Sequence, residues 1–422
     1  MRVLIVSPVY PPETGAAALR VREMAEKLLR AGDSVTVLAG IPSYPAGVVL
    51  PGYRRRPLAV RFHEGVRVIR CRQFVRPRGS FLLQLLSEFS LAASTAFFGM
   101  FLPRQDVVIA SSPPFFIAAA GWLLSRAKRA AFVFDVRDIY PDPLVELGFV
   151  SNPILVRLLR SLERFLYNSA ALVLSVSNTQ AEKIRSRTAN PQKVRLVPNG
   201  VNVEFFRKRP AASHPVWKKH ALDGRFVAVY AGRIGRAHAL HTLVRAAELL
   251  ARDPRVAVLI LGDGAEKQKL QKLAAELRLK NVFFESERPA DEIPHVLSLA
   301  GAGICSRAAG EYSRDALPAK MFEYMACELP VVMAAECEGG RLLREADAGI
   351  VVPPEDPRQL AEAILALAAD PAEAARLGAN GRRFVSAHYT RDKIFAAMRE
   401  VLLQTADPKS RRSGARRTVP DA

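Results

Sequence analysis

Short apolar runs alternate along this chain with patterns typical of amphipathic helices. Parallel strands need crossover connections, usually helices, so the alternation predicts parallel sheets covered by helices on both faces. The first series of runs is VLIVS (3–7), SVTVLAG (34–40), VVIASS (107–112), AFVFDV (131–136), LVLSVS (172–177) and VRLVPNG (194–200). After a polar stretch at 207–218, the second series is RFVAVYAG (225–232), VAVLILG (256–262), NVFFES (281–286), AGICS (302–306), LPVVMA (329–334) and GIVVP (349–353).

The length of 422 residues exceeds what one core usually serves, so each series is expected to form a domain. The predicted fold class is α/β, with two doubly wound, Rossmann-like domains facing across a cleft. The expected units are 1–204, 205–387, a helix at 388–405 that can pack back on the N-terminal domain, and a disordered basic tail at 406–422. Ligands of such sheets bind beyond the carboxyl ends of the strands, which places the expected site in the cleft.

Most of the net charge of +20 comes from the first half of the chain. Residues 1–200 hold 27 Lys and Arg against 13 Asp and Glu, whereas residues 201–422 hold 34 against 28. Within 54–78 nine arginines are opposed only by Glu64, and they are Arg54, Arg55, Arg56, Arg61, Arg67, Arg70, Arg72, Arg76 and Arg78. This patch predicts an anionic partner.

The apolar segment 81–101 follows the patch and is long enough to suggest a transmembrane helix. A polar stripe with Glu88 near mid-span argues against that. Two interpretations stay open: a helix buried against the sheet, or a partly exposed apolar face seated on anionic lipid. The arginines ahead of the segment favour the second, so 54–101 is predicted to face the membrane.

The first residues read as a strand and lack the design of a signal peptide. The four cysteines, Cys71, Cys305, Cys327 and Cys337, lack the spacing of a zinc site and suit a reducing compartment. We therefore expect a cytoplasmic protein, with no bound metal or cofactor, that associates peripherally with the inner face of the membrane.

Several loops that follow strands carry glycines, which let backbone amides approach an anion. Gly15 precedes a helix that opens with small residues, although a purely structural turn is an equal interpretation. The candidate phosphate-binding residues on the loops after two strands of the second series are Arg233, Gly235, His238, Gly262 and Gly264. Their spacing differs from the GxGxxG of dinucleotide-binding proteins.

The stretch RDALPAKMFEYMACELPVV (314–332) gives the strongest signal. Pro318 predicts a helix beginning near 317 or 318, with Asp315 on the loop before it. Lys320 opposes the helix dipole, which makes sense if a phosphate lies there, and Glu323 can accept both hydroxyls of a ribose. A surface helix with incidental charges is the alternative.

Arg137 and Asp138 follow a strand of the first series and are expected to face the same cleft, where they can position a sugar. Asp142, in YPDP, is expected to shape a turn.

The order of these motifs resembles the family-four retaining glycosyltransferases with the GT-B fold, especially a bacterial branch that builds O-antigen, capsule and exopolysaccharide. The resemblance covers nearly the whole chain except the tail, from MRVLIVSPVYPPETG through VRDIYP, VRLVPNGVN, YAGRIGRAHAL and LGDG to ALPAKMFEYMACELPVV. It implies transfer of a sugar from a nucleotide sugar, UDP-linked by expectation, to a glycan or polyprenyl-linked acceptor. It also implies retention of configuration without a metal, the departing diphosphate being stabilised by cationic side chains.

Two glutamates with seven residues between them flank the donor in that family. Glu323 matches the acid on the ribose, and Asp315, shorter than the usual glutamate, matches the acid near the donor sugar. Arg233 matches an arginine on the diphosphate. His238 stands where a lysine is usual, so Lys320 is expected to supply the missing cation.

The family's frequent His-Asp pair in the first domain is here Arg137 and Asp138. The predicted catalytic residues are Asp315, Glu323, Arg137 and Asp138. The predicted donor-binding residues are Gly15, Arg233, Gly235, His238, Gly262, Gly264, Lys320 and Glu323. A second enzymatic interpretation is a sugar-nucleotide epimerase or a phosphorylase on a similar fold. The non-enzymatic alternative is a basic protein that binds nucleic acid or membrane. The arginine patch lacks interleaved aromatics, so we expect no nucleic-acid partner.

Overall fold

The computed structural model describes residues 1–13, 15–43, 47–53, 58–75, 81–210 and 214–407. These residues form two separate sheets, one of eight strands and one of six. Helices flank both sheets, and this arrangement is the GT-B fold of two Rossmann-like domains.

The first sheet has the order β3-β4-β2-β1-β5-β6-β7-β8, and only β3 runs antiparallel to its neighbour. Its strands are β1 Arg2–Ser7, β2 Ser34–Gly40, β3 Leu58–His63, β4 Val66–Cys71, β5 Val107–Ser112, β6 Ala131–Val136, β7 Leu172–Ser175 and β8 Val194–Leu196. β5 and β6 are buried at every residue, as expected for central strands covered on both faces.

Six helices follow the strands of this sheet: α1 Ala16–Arg30, α2 Phe81–Met100, α3 Phe115–Lys128, α4 Asp142–Glu146, α5 Pro153–Ser169 and α6 Asn178–Arg187. Side-chain caps fix two of their starts. Asn152 accepts from two backbone amides at the start of α5, and Ser177 accepts from the amide of Gln180 in α6. A short 3-10 turn at Pro191–Lys193 precedes β8.

The second sheet is entirely parallel, with the order β11-β10-β9-β12-β13-β14. Its strands are β9 Phe226–Ala231, β10 Val256–Leu261, β11 Val282–Glu285, β12 Ala302–Ser306, β13 Val331–Ala334 and β14 Gly349–Val352. Around it lie α7 Pro215–His220, α8 His241–Leu250, α9 Lys267–Glu276, α10 Ile293–Ser298, α11 Glu311–Arg314, α12 Ala319–Ala326, α13 Glu338–Glu345, α14 Pro357–Ala369 and α15 Pro371–His388. A 3-10 turn spans Arg236–His238. All six strands coincide with runs of the second series.

The helix α16, Arg391–Ala406, returns to the first sheet. Its buried residues Ile394, Phe395, Met398 and Leu402 share one apolar cluster with β1, β2 and α1. A parallel bridge between Val201 and Thr390 ties the two segments that connect the sheets. The predicted tail lies outside the described residues beyond Asp407.

The strands β3 and β4 correct the interpretation of 54–78 as one continuous surface patch. β3 carries one arginine, the exposed Arg61, whereas β4 carries Arg67 and Arg70 among apolar residues and turns Arg70 toward the protein. Arg70 is buried and donates to the carbonyl oxygens of Gly40 at 3.1 Å and Tyr10 at 3.0 Å. It therefore holds loops together, whereas Arg61 and Arg72 are exposed. The remaining arginines of the patch, Arg54, Arg55, Arg56, Arg76 and Arg78, lie outside the described residues.

The polar residues of the helix α2 are divided between its two sides. Gln84 is exposed, whereas Thr95 is buried, and burial raises the pKa of Glu88. Exposed positions also carry large apolar side chains, among them Phe89 at 58% and Phe97 at 61% exposure. The apolar face is therefore partly exposed, and its seating on anionic lipid stays a prediction.

Candidate active site

A cleft of about 660 Å³ separates the two sheets at the carboxyl ends of their strands. Nine of the residues predicted from the sequence line it, and they are Gly15, Arg137, Asp138, Arg233, Gly262, His238, Asp315, Lys320 and Glu323. Gly235 and Gly264 were predicted at the ligand and are not among the lining residues.

The glycines after β9 and β10 allow two loops to pack backbone against backbone. A Cβ at Gly262 would lie 1.9 Å from the carbonyl oxygen of Gly232, and one at Gly264 would lie 2.1 Å from that of Ile234. Gly264 therefore supports the cleft without lining it. Gly232, at φ +147°, also leaves room for a lysine, since its Cβ would lie 2.8 Å from Lys320 Nζ.

The ammonium of Lys320 is the least satisfied charge in this region. It lies 3.4 Å from the centroid of the Tyr230 ring, a cation–π contact, and Nζ has no hydrogen-bond partner among the described residues. Burial lowers the pKa of Lys320 to about 7, with Arg307 acting in the same direction and the nearby Glu323 opposing it. An anion in the cleft would supply the missing partner.

His238 lies beside this lysine and carries no charge near neutral pH. Burial lowers its pKa well below the usual value, and the positive charges of Lys320, Arg307 and Arg233 act in the same direction. The backbone of Ser306 hydrogen-bonds to the imidazole. With its N–H engaged by Ser306, the neutral imidazole can only accept a hydrogen bond from a ligand, and it does not replace a lysine as a cation.

Arg307 is a further cation of the cleft that the sequence analysis missed. It directly follows β12, and its guanidinium lies 5.5 Å from the centroid of the Tyr312 ring. Its Nε has no hydrogen-bond partner in the described part of the chain. The signal was available, because Arg307 follows a buried strand as Arg233 does.

Glu323 lies in the second turn of α12, half-buried at the cleft. Burial raises the pKa of its carboxyl, while Arg391 and Lys320 lower it. The helix begins one residue later than predicted, with Pro318 in extended geometry at the N-cap instead of the first helical position. This start places Lys320 in the first turn, facing the ends of β9 and β12.

Asp315 lines the cleft, but its partner comes from the other domain. Its Oδ2 accepts from Lys183 Nζ of α6 at 2.8 Å, and its backbone oxygen accepts from Ser177 Oγ at 2.7 Å. Burial raises the pKa of its carboxyl, while Lys183 lowers it. Its Oδ1 is buried and has no partner among the described residues.

The wall formed by the first sheet is held by internal hydrogen bonds. Gly15, at φ +100°, is the N-cap of α1, a conformation that favours glycine. Arg137 donates to the carbonyl oxygen of Pro113 at 3.0 Å, and burial lowers its pKa. Asp138 is exposed at the cleft.

Arg20 of α1 is the second cation of the site that the sequence analysis missed. It is buried and pairs with Asp135 at 3.1 Å, and Ser111 Oγ donates to the other oxygen of Asp135 at 2.8 Å. Charged side chains inside an amphipathic helix are usually read as its solvent face, which is why the sequence hid this role.

Two family profiles divide the chain between the two sheets. The profile described as "Glycosyl transferase 4-like domain" matches residues 15–200, and the one described as "Glycosyl transferases group 1" matches residues 216–384. The chain belongs to the group 1 glycosyltransferases. The resemblance found in the sequence motifs is thereby confirmed.

The chain is similar to WcaI of Escherichia coli K12, whose name assigns it to colanic acid biosynthesis as a glycosyl transferase. The two are 27% identical over 348 residues, 80% of this chain and 84% of WcaI. It is also 25% identical over 392 residues to a GDP-mannose-dependent alpha-(1-6)-phosphatidylinositol monomannoside mannosyltransferase of Mycolicibacterium smegmatis, covering 90% of this chain and 93% of that protein.

Among solved structures, Anabaena HepE in complex with UDP and glucose superposes with a TM-score of 0.72 at 19% identity, over 96% of this chain and 99% of HepE. At this identity the likeness shows the fold. This group 1 glycosyltransferase has, within its described residues, no helix both long and apolar enough to cross a bilayer. Its described residues also contain no group of three or more His, Cys, Asp and Glu arranged to hold a metal ion.

Proposed function

We propose that this glycosyltransferase moves a sugar, with retention of configuration, from a nucleotide diphosphate donor to a glycan or polyprenyl-linked acceptor. The product belongs to a cell-surface polysaccharide. One observation carries the donor class: the buried ammonium of Lys320 has no hydrogen-bond partner among the described residues and lies where β9 and β12 end. A diphosphate supplies the oxygens that such a group lacks.

Three cations converge on the proposed diphosphate position, and they are Arg233, Arg307 and Lys320. Charge develops on the diphosphate as the bond to the sugar breaks, so fixed cations in a partly desolvated cleft stabilise the transition state. We propose that these side chains carry this stabilisation without a metal ion. His238 stays neutral beside these cations, and the tight turns at Gly262 and Gly264 hold the loop beneath the donor.

The acids have separate proposed roles. Glu323, beside Lys320 on α12, accepts the ribose hydroxyls. Asp315, with Oδ1 free among the described residues, accepts from a hydroxyl of the donor sugar. Arg137 and Asp138 lie on the opposite wall, where they position the sugar and the acceptor hydroxyl.

We propose a UDP-linked donor, on the likeness to HepE in its UDP complex. The GDP-mannose-dependent relative makes guanine nucleotides the direct competitor. A thermal-shift screen of UDP-sugars and GDP-sugars tests both, because a bound ligand raises the melting temperature by mass action. Stabilisation by GDP-mannose and not by any UDP-sugar would overturn the uridine assignment.

Turnover then tests the reaction class. With the stabilising donor and a lipid-linked acceptor mixture, the chain is expected to release nucleoside diphosphate, and Glu323→Gln is expected to abolish release while leaving the protein folded. An epimerase would instead alter the sugar of the donor with no acceptor present. Anomeric analysis of the product by NMR decides between retention and inversion.

We propose that the protein associates peripherally with an anionic membrane through the adjoining helices α2, α3 and α5. Phe89 of α2 contacts Phe116 of α3 at 5.9 Å, and Trp122 of α3 contacts Phe165 of α5 at 4.9 Å between ring centroids. Large apolar side chains are exposed along these helices: Leu86, Phe89, Phe97, Met100, Leu123, Ile154, Leu158 and Phe165. Exposed arginines accompany them, and these are Arg126, Arg157 and Arg164.

Vesicle flotation tests this surface. The chain is expected to float with vesicles containing phosphatidylglycerol and to remain in solution with pure phosphatidylcholine. Phe97→Ser is expected to weaken flotation, whereas Leu403→Ser on α16, 40% exposed, serves as the matched control. Tight binding to duplex DNA at the same salt, without flotation, would favour the nucleic-acid alternative.

A further inference from the structure

The helix α6 of the first domain contacts the second domain beside the cleft. The carboxylate of Glu338 in α13 accepts from the backbone amides of Asn178 at 2.8 Å and Thr179 at 2.7 Å. These are orphan amides in the first turn of α6, so a buried acid of one domain caps a helix of the other. Arg341 of α13 also donates to Thr179 Oγ1 at 2.6 Å.

About one turn further along, α6 carries Lys183, whose Nζ lies 2.8 Å from Asp315 Oδ2 and 3.3 Å from the carbonyl oxygen of Glu311. Ser177, the N-cap of α6, holds the backbone oxygen of Asp315. Asp315 is therefore fixed at two points by the opposite domain. Its second carboxylate oxygen, Oδ1, is buried and has no hydrogen-bond partner among the described residues. The side chain of Asp315 lines the cleft.

These contacts exist only when the two domains lie together, because every donor to Asp315 named above belongs to α6 or its N-cap. We propose that Lys183 is a positioning residue for glycosyl transfer: domain closure brings its ammonium to Asp315 Oδ2 and turns Oδ1 toward a hydroxyl of the donor sugar. This inference rests on the proposed function. It makes the first domain, through α6, part of the donor-sugar site of the second.

The pair adds little to the stability of the interface. Lys183 is 29% exposed and Asp315 12%, and ion pairs in contact with solvent contribute weakly because water screens them and side-chain entropy opposes them. The amides capped by Glu338 hold α6 in place without the lysine. Removing the charge of Lys183 should therefore disturb the orientation and ionisation of Asp315 far more than the fold.

The ionisation of Asp315 affects the pH dependence of kcat, which a purely structural role of Lys183 would leave unchanged. The charged groups facing Asp315 are Lys183 and Arg187, which favour its ionised form, and Asp142, which opposes it. Burial already raises the pKa of Asp315. Loss of Lys183 would raise it further, so the acidic limb of the pH profile of kcat should move to higher pH.

The experiment compares Lys183→Met, Lys183→Arg and Arg185→Met in the full chain, with UDP-glucose and GDP-mannose as the donor probes. Arg185 lies on the same helix and pairs with Glu182 within it, which makes it the matched control. We expect Lys183→Met to lower kcat by about tenfold or more at unchanged melting temperature, since misplaced groups reduce turnover. Its acidic limb should shift upward, Lys183→Arg should restore part of the rate, and Arg185→Met should behave as the parent chain.

Equal kcat and equal pH profiles in Lys183→Met and Arg185→Met would overturn the inference. If the parent chain turns over no nucleotide sugar, the proposed function fails, and the titration of Asp315, followed by NMR of carboxyl-labelled aspartate in the full chain, then decides the inference alone. Asp315 should titrate at higher pH in Lys183→Met than in Arg185→Met, because only the first variant loses the ammonium beside Oδ2. Identical titration of Asp315 in the two variants would overturn the positioning role of Lys183.

Discussion

Each of the two walls of the cleft carries a buried cation, and the two cations differ in their hydrogen bonding. On the first domain, Arg20 donates to the carbonyl oxygens of Pro198 at 2.9 Å and Val197 at 3.0 Å, and it pairs with Asp135 at 3.1 Å. On the second domain, Lys320 Nζ has no hydrogen-bond partner among the described residues. One cation completes the scaffold, and we propose that the other binds a ligand.

This difference shows where the protein accepts a loss of stability. A buried ammonium without hydrogen bonds is unfavourable, and the pKa of about 7 reports that cost. The contact with the Tyr230 ring offsets only part of it. The proposed binding of an anion to Lys320 would account for keeping such a group in this wall.

The largest expected effect tests the second wall. Lys320→Met should lower kcat/KM by about 100-fold to 1000-fold, because it removes a preorganised charge from the departing diphosphate. It should also raise the melting temperature of the unliganded protein, since an unpaired buried charge is lost. Steady-state kinetics and calorimetry measure both.

The control for that variant is Lys272→Met on α9, where the side chain is 80% exposed and pairs only with Glu276 among the described residues. It should leave both quantities unchanged. A Lys320→Met protein with the kcat/KM of the parent chain would contradict the comparison, because it would show that Lys320 does not bind the substrate.

The second prediction tests the first wall. Arg20→Met should lower the free energy of unfolding by about 3–5 kcal/mol, since it leaves the fully buried carboxylate of Asp135 without its cation. Urea denaturation measures the loss. Arg30→Met, on the same helix with a side chain 67% exposed, is the control and should be near neutral. A fully stable but inactive Arg20→Met protein would contradict the comparison, because Arg20 would then serve a ligand, as is proposed for Lys320.

The third prediction concerns pH. The pKa of Lys320 is about 7 without ligand, and a bound diphosphate would raise it. Below pH 7 the ammonium is present in both states and affinity should be constant. Above pH 7 binding must take up a proton, so UDP affinity should fall by about tenfold per pH unit until the raised pKa is reached.

Isothermal titration calorimetry at pH 6, 7 and 8 measures that slope, and buffers of different ionisation enthalpy count the proton taken up. Lys320→Arg should remove the pH dependence, because arginine stays charged. A flat profile in the parent chain would contradict a ligand on Lys320.

The smallest expected effect concerns His238, which also lies on the second wall. His238→Gln should change kcat/KM by at most about fivefold, because the imidazole is neutral near pH 7 and contributes one neutral hydrogen bond. Kinetics at pH 6 to 8 provide the measurement. A loss as large as that of Lys320→Met would contradict this expectation and show that the imidazole is as important to turnover as the ammonium.

The apolar runs were sufficient to predict the central strands of both sheets, because central parallel strands are buried on both faces and leave a continuous signal. All six strands of the second sheet were found in this way. β3 and β4 were missed, since their arginines made them resemble a charged surface. Their pairing at the sheet edge depends on loops held by Arg70, which is a tertiary interaction.

The site shows the same limit. Residues on the loops that follow strands were predictable, because the carboxyl ends of parallel strands define where a ligand binds. Arg20 sits within a helix, and its role depends on Asp135, which is 115 residues away. The pairing of Asp315 with Lys183 depends on how two domains meet, and no local pattern in either segment encodes that contact.

The return of α16 to the first sheet also sets an order for folding during synthesis. The apolar cluster of that sheet includes Phe395, Met398 and Leu402, which the ribosome adds after both sheets are already made. The second sheet, with strands between residues 226 and 352, needs none of them. The domain that is translated first is therefore the one that is completed last, and a nascent chain shorter than about residue 402 leaves its core open.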